Sequence, residues 1–280
     1  PARVDLLGPH GRRHPRGHQP GHRQEEGRRR RRPGEPAVQG GAHSGHPRLW
    51  LTAEDLPRLR SWASDSNPLY RDGLALLAER AKQEMDEGRV SDQDCGNVGY
   101  EEYPTEMYAE LFAFLSLVDP DPAARQDYAQ RARSLLMHIM DLAAKGPASK
   151  ENATCNGSRQ YPPFRHPDFF TSDRDRARYH GEAFPLVVDW IYPSLTAQDK
   201  ATIRQVFLRW SQEIIMAGYR HPEPVGMTND PQLLADPQQV RFAGNNYFAA
   251  HMRNLGLMAL ALDRDDDPDG ALAAYLDIAA

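Results

Sequence analysis

From residue 47 onward, apolar side chains recur at three- and four-residue intervals, and strict alternation is almost absent. That period is helical, and no hairpin signal competes with it. Several stretches also carry helix-start devices. In TAEDLPRLRSWA, Thr52 takes the N-cap position with Asp55 three residues on. In NPLYRDGLALLAERAKQEM, Asn67 caps and Pro68 fills the first helical position, where a missing N–H does no harm. DPAARQDYAQRARSLLMHIMDLA repeats the device with Asp121 and Pro122. It sets Tyr128, Ala132, Leu135, Leu136, Ile139 and Leu142 on one face. TAQDKATIRQVFLRWSQEIIMAG has Thr196 as cap, an apolar face at Ile203, Val206, Phe207, Trp210 and Ile214, and Gly218 as stop. DPDGALAAYLDIAA predicts one more helix, starting at Pro268.

The predicted helices are of two kinds. Those starting near residues 67, 121 and 196 are amphipathic, as outer helices should be. EMYAELFAFLSLV, RARYHGEAFPLVVDWIY and NNYFAAHMRNLGLMALAL are apolar on nearly every face, as in elements packed from several sides. Buried helices interleaved with amphipathic ones predict an all-α fold in two concentric layers of antiparallel helices, an α/α toroid or an irregular helical array. No clean repeat supports a regular solenoid. Pro185, in the second buried stretch, is expected to kink its helix.

Composition divides the chain. Residues 1–45 are rich in Arg, Gly and Pro, with an arginine run at 28–32 and no aromatic side chain before Trp50. Such a tail buries too little apolar surface to offset the entropy of ordering, so a disordered basic tail is expected before a helical domain over 46–280. A polyanion-binding arm is the alternative for the tail. The net charge of the chain is −5 although its first part is basic. The body is therefore acidic, and nucleic acid is not expected as its partner. No apolar run is long enough for a membrane span. Cys95 and Cys155 both sit in Gly/Asn loops without zinc spacing. One disulfide between them, or two unpaired thiols, fits equally.

Three motifs resemble those of the heparinase II/III-like and alginate-lyase-like polysaccharide lyases. HPRLWLTAEDLPRLRSWA is similar to their entry helix. GEAFPLVVDWIYPSLTAQDKATIR is similar to an inner helix ending in Asp-Trp-aliphatic-Tyr, followed by an outer helix. GNNYFAAHMRNLGLMALAL is similar to the inner helix whose first turn delivers an Asn to the cleft. The resemblance spans roughly residues 46–262. It implies a toroid acting on an acidic, uronate-containing polysaccharide or oligosaccharide by β-elimination, with no cofactor and no metal, outside the cytoplasm. Such proteins usually continue through more helical pairs into a β-sandwich, so the toroid is expected to lack its C-terminal part. Oligomeric state is left open.

The resemblance also bears on single residues. Asn245 or Asn246 would neutralise the sugar carboxylate, lowering the cost of removing the proton alpha to it. Tyr247 and His251, four apart on one helix face, and Tyr179 and His180 in RARYHGEAF, are candidates for base and acid. His251 and His180 as core histidines, and Asn245 as a simple cap, are the bland alternatives. Arg165, His166 and Tyr161 in the loop NGSRQYPPFRHPDFFTSDRDR, with Arg178 and Glu182, are candidates for sugar and carboxylate contacts. Arg178 and Glu182 are also spaced to pair with each other. Asp189 and Trp190 read as structural, an acid orienting helices and an indole filling the core. DRDDDPDG has Pro268 where a calcium loop needs Gly, so it reads as an acidic turn. A glycoside hydrolase drawing on Glu102, Glu106, Glu182 or Asp189 is the second enzyme reading, and a non-catalytic glycan-binding domain the third.

Overall fold

The computed structural model describes residues 45–88, 104–149, 163–165, 181–217 and 246–279. All of them lie in one unit, His43–Ala280. Among the described residues the regular structure is entirely helical. The α-helices are α1 (Leu56–Trp62), α2 (Leu76–Asp86), α3 (Pro104–Val118), α4 (Pro122–Ala144), α5 (Ala183–Trp190), α6 (Ala197–Ala217), α7 (Asn246–Leu260) and α8 (Leu276–Ala279). The expected tail over 1–45, both cysteines and Gly218 lie outside the described residues.

The local start devices form in three places. Asp121 accepts from Ala123 N–H at 3.0 Å to open α4, with Pro122 following. Asn67 accepts from Leu69 N–H at 3.1 Å, and the helix that follows is π-wound over Leu69–Ala75 before it becomes α2. At α6 the Thr196 hydroxyl accepts from Asp199 N–H while the Asp199 carboxylate accepts from Thr196 N–H, a reciprocal capping box.

Three expectations are corrected. Thr52 does not start a helix. The Asp55 carboxylate accepts from Thr52 N–H at 2.9 Å, which closes a turn, and α1 begins only at Leu56. Pro268 does not start one either. Gly270 N–H bonds Asp267 C=O with Gly270 at φ +66, and the Asp267 carboxylate takes the Leu272 and Ala273 amides, so winding begins at Ala273. Pro185 produces no mid-helix break, because α5 begins at Ala183 and the proline falls in its first turn, where no N–H is needed.

Cross-contacts give the helix directions. Tyr70 hydroxyl donates to Asp119 at 2.6 Å, and Tyr108 hydroxyl to Glu84, so α2 runs against α3. Phe114 meets Trp190 at 5.9 Å, while Glu110 lies in the field of Glu182, so α3 and α5 run together. Arg253 pairs with Glu182, and His46 bridges Asp189 and Asp263 at the other end, so α7 runs with α5. Arg133 meets Asp199, and Arg209 reaches the Ala143 carbonyl, so α4 and α6 also run together. Thus α3, α5 and α7 run one way. They are the apolar helices of the sequence, and every residue of α5 is buried. Between them and the amphipathic helices sit Phe112, Leu115, Phe184, Phe207 and Trp210, all buried, with Phe184 5.1 Å from Trp210 between ring centroids. Each such ring removed from water contributes about 2–3 kcal/mol.

Candidate functional site

The parallel course of α3, α5 and α7 brings parts of their N-terminal halves together. Glu182 occupies the N-cap position of α5 but makes no capping bond with its side chain. Its carboxylate instead pairs with Arg253 Nη1 of α7 at 3.0 Å. The alternative partner from sequence, Arg178, lies outside the described residues. Glu110, on α3, completes the group. Burial pushes its carboxyl above the usual range, and the Glu182 charge adds to the effect. Two acids in unequal surroundings and one half-exposed guanidinium therefore share this end of the array.

Other predicted residues fall differently. His251 lies on α7 but is only 1% exposed and engaged by neighbours, as is Asn254 beside it. Its imidazole is thus almost fully enclosed by the fold. Asn246 and Tyr247 belong to the first turn of α7. Asn245, Tyr161, His166, Arg178, Tyr179 and His180 lie outside the described residues. Arg165 sits on the short turn Pro163–Arg165, anchored where Phe164 packs edge-on against Phe184. Its Nε donates to Gly146 C=O at 3.0 Å, and its carbonyl accepts from Ala148 N–H, so it closes the loop after α4. Glu106 is buried in α3 and also engaged.

Glu110 and Arg253 were not singled out from sequence. Each is a charged residue inside a mostly apolar helix, Glu110 with Glu106 in EMYAELFAFLSLV and Arg253 in NNYFAAHMRNLGLMALAL, and that interruption was the available signal. A charge on a buried helix calls for a partner: Arg253 finds Glu182 at the start of α5, whereas Glu110 faces the like charge of Glu182, which together with burial favours its neutral form.

At the opposite end Asp189 is fully buried and satisfied. It accepts from His46 Nδ1 at 2.6 Å, Arg48 N–H at 2.9 Å and Leu49 N–H at 2.8 Å, and Trp190 Nε1 donates to Leu49 C=O at 3.1 Å. Trp190 is buried in the core as expected, whereas Asp189 ties down the segment before α1, to which Trp190 adds its own bond. The acidic turn DRDDDPDG is likewise paired. Asp263 meets Arg48, Asp266 meets Lys200 and the Tyr192 hydroxyl, and Asp267 and Asp269 meet Arg204. Among the described residues no group of three or more His, Cys, Asp or Glu is placed to hold a metal ion. No helix among them is long and apolar enough to cross a membrane.

One open depression of about 490 Å³ lies between α4 and the turn into α6, lined by Gln126, Ala129, Gln130, Arg133, Ser194 and Thr196. Among the described residues no aromatic side chain lines it. Arg133 within it is already held by Asp199 through bonds of 2.7 and 3.0 Å. Comparison with family models, with curated proteins and with solved structures finds no match to this chain.

Proposed function

We propose that residues 46–280 are a polysaccharide-lyase-like α/α toroid that cleaves a uronate-containing glycan by β-elimination, without a redox cofactor. The observation that carries this reading is the common direction of the three apolar helices, α3, α5 and α7, against amphipathic α2, which runs the other way. That arrangement sets the N-terminal ends of all three on the same side, the side of the first turn of α7, to which Asn246 belongs. In the reaction a base takes the proton alpha to the uronate carboxylate. The electron pair forms the new C=C bond, and the glycosidic oxygen leaves with a proton from an acid. Asn245 or Asn246 would stabilise the charge that builds on the carboxylate. Burial of His251 favours Tyr247, Tyr179 or His180 as base and acid, with Arg253 as a carboxylate contact. An extracytoplasmic site of action follows from such a substrate.

The test is a panel of alginate, heparan sulfate, hyaluronan and pectate, followed by ultraviolet absorbance of the conjugated product. One responder is expected, and Asn246→Ala should lower its kcat by about 10²-fold. A responder whose product has no unsaturated uronate overturns the lyase reading.

A second reading rests on Glu110 and Glu182. A carboxyl held above its usual range beside one paired with Arg253 is the division of roles a glycoside hydrolase needs. In that case new reducing ends appear without absorbance, and Glu110→Gln abolishes them.

A further inference from the structure

Two guanidinium groups meet where α4 ends, with the Glu213 carboxylate beside them. Arg209 of α6 donates Nη1 to the Ala143 carbonyl and Nη2 to the Phe164 carbonyl at 3.5 Å, while its Nε pairs with Glu213 one turn on at 3.3 Å. Arg165, the residue after Phe164, donates Nε to the Gly146 carbonyl at 3.0 Å. Its Nη1 and Nη2 bond no group among the described residues. The two side chains thus bracket one short stretch of backbone, residues 143–146, and their like charges oppose each other. Burial pushes the Arg209 guanidinium below its usual range; Glu213 pulls it back, and the Arg165 charge pushes the same way as burial.

The core fixes where this pair stands. Phe164, 2% exposed, packs edge-on against Phe184 of α5, and Phe184 packs in turn against Trp210 of α6. Arg165 and Arg209 are the chain neighbours of two of those three rings. The Arg165 carbonyl also accepts from Ala148 N–H at 2.9 Å. An arginine held at its backbone and at its Nε has lost much of its freedom before any ligand arrives, so less is lost on binding. What remains is the Nη edge, two N–H donors spaced for two oxygens of one anionic group. Arg133 shows the saturated case, since two of its nitrogens already grip both oxygens of Asp199. The carbonyls at the end of α4 carry about half a negative charge, which draws both arginines to this place. That accounts for the bonds to Ala143 and Gly146. It leaves the outer edge of Arg165 unused, and two positive charges set against the one on Glu213.

We propose that Arg165 and Arg209 form a seat for an oxyanion: Arg165 gives its Nη fork to the ligand, and Arg209 keeps the place electropositive. The group that fits carries a negative charge shared by at least two oxygens. The carboxylate of an acidic sugar and a free inorganic oxyanion such as sulfate both have that chemistry. The seat does not rest on the glycan-cleavage reading, because binding is measured without turnover.

The experiment is nitrogen NMR of the arginine side chains in the full chain, titrated with sodium glucuronate, sodium sulfate and sodium chloride at matched ionic strength, and with glucose as the neutral counterpart. The Arg165 and Arg209 Nε–H signals should shift and saturate with an oxyanion, and stay put with glucose. Saturation by glucuronate at a lower concentration than sulfate assigns the seat to a sugar carboxylate; saturation by sulfate at the same or a lower concentration assigns it to free oxyanions. In Arg165→Lys, which keeps the charge and loses the fork, the affinity read at Arg209 should fall roughly tenfold. In Arg165→Gln saturation should disappear. A drift in the parent that never saturates and matches that of chloride overturns the seat without recourse to any variant. Saturation of unchanged affinity in both Arg165 variants overturns it as well.

Discussion

At the scale of single residues, the molecule places ionisable groups where water is scarce, and the outcome differs with the number of donors supplied. Asp189 is buried among three donors, so its charge is fully compensated. Replacing it with Ala strands His46 and two backbone N–H groups. The expected loss is about 3–5 kcal/mol, measurable as a lower urea midpoint at unchanged slope. Glu110 is the reverse case. Its carboxyl is raised by burial and by Glu182, so the folded state binds its proton more tightly than the unfolded chain does. Stability is therefore lost as pH rises from the unfolded value through the folded one, and the loss persists above it. Glu110→Gln should melt higher than the parent at neutral pH and lose that advantage in acid, where both side chains are uncharged. Equal melting temperatures at all pH values would show that the Glu110 carboxyl is not disfavoured here.

At the scale of elements, legibility in the sequence followed the distance over which an interaction acts. The Asp121–Pro122 and Asn67–Pro68 starts and the Thr196 cap were readable because each is completed within three residues. The apolar face of α6 was readable from its period alone, and Ile203, Val206, Phe207, Trp210 and Ile214 are all buried. Pro268 misled because Asp267 reaches five and six residues ahead for the amides of Leu272 and Ala273, which postpones the helix. Asp55 misled because its bond to Thr52 closes a turn and not a helix. Neither the Glu110–Glu182–Arg253 group nor the His46–Asp189–Asp263 group was legible. Their members come from separate elements, and no local pattern marks a pairing 143 or 217 residues apart. The capping box of α6 gives a test at this scale. Asp199 is pushed up by burial, but Arg133 and Thr196 outweigh that and hold its carboxyl below the usual range. Its contribution is thus present above the unfolded value and lost as pH falls through the folded one. Thr196→Ala should cost about 1 kcal/mol, read as a urea midpoint. Asp199→Asn should destabilise at neutral pH and converge on the parent in strong acid.

At the scale of the whole molecule, residues 46–49 connect parts that the helices alone leave apart. Arg48 meets two carbonyls at and just beyond the C-terminal end of α7 and an acid in the following turn, Leu49 is tied to both Asp189 and Trp190, and His46 joins α5 to the turn after α7. The residues before Gly45 have a composition that does not support a packed core, with arginine, glycine and proline in place of large apolar side chains. The boundary between dispensable and essential chain should therefore be abrupt. A chain beginning at residue 45 should melt within about 1–2 °C of the parent, since every bond named here is retained. A chain beginning at residue 51 loses the donors to Asp189 and leaves a buried carboxylate alone. At about 3 kcal/mol or more, and some 2–4 °C per kcal/mol for a domain of this size, it should melt roughly 5–10 °C lower. Calorimetry of the two shortened chains beside the parent reads both effects. Equal melting of all three would mean that residues 46–49 only rest on the helices, and a large drop already at residue 45 would mean that the basic segment contributes contacts its composition does not predict.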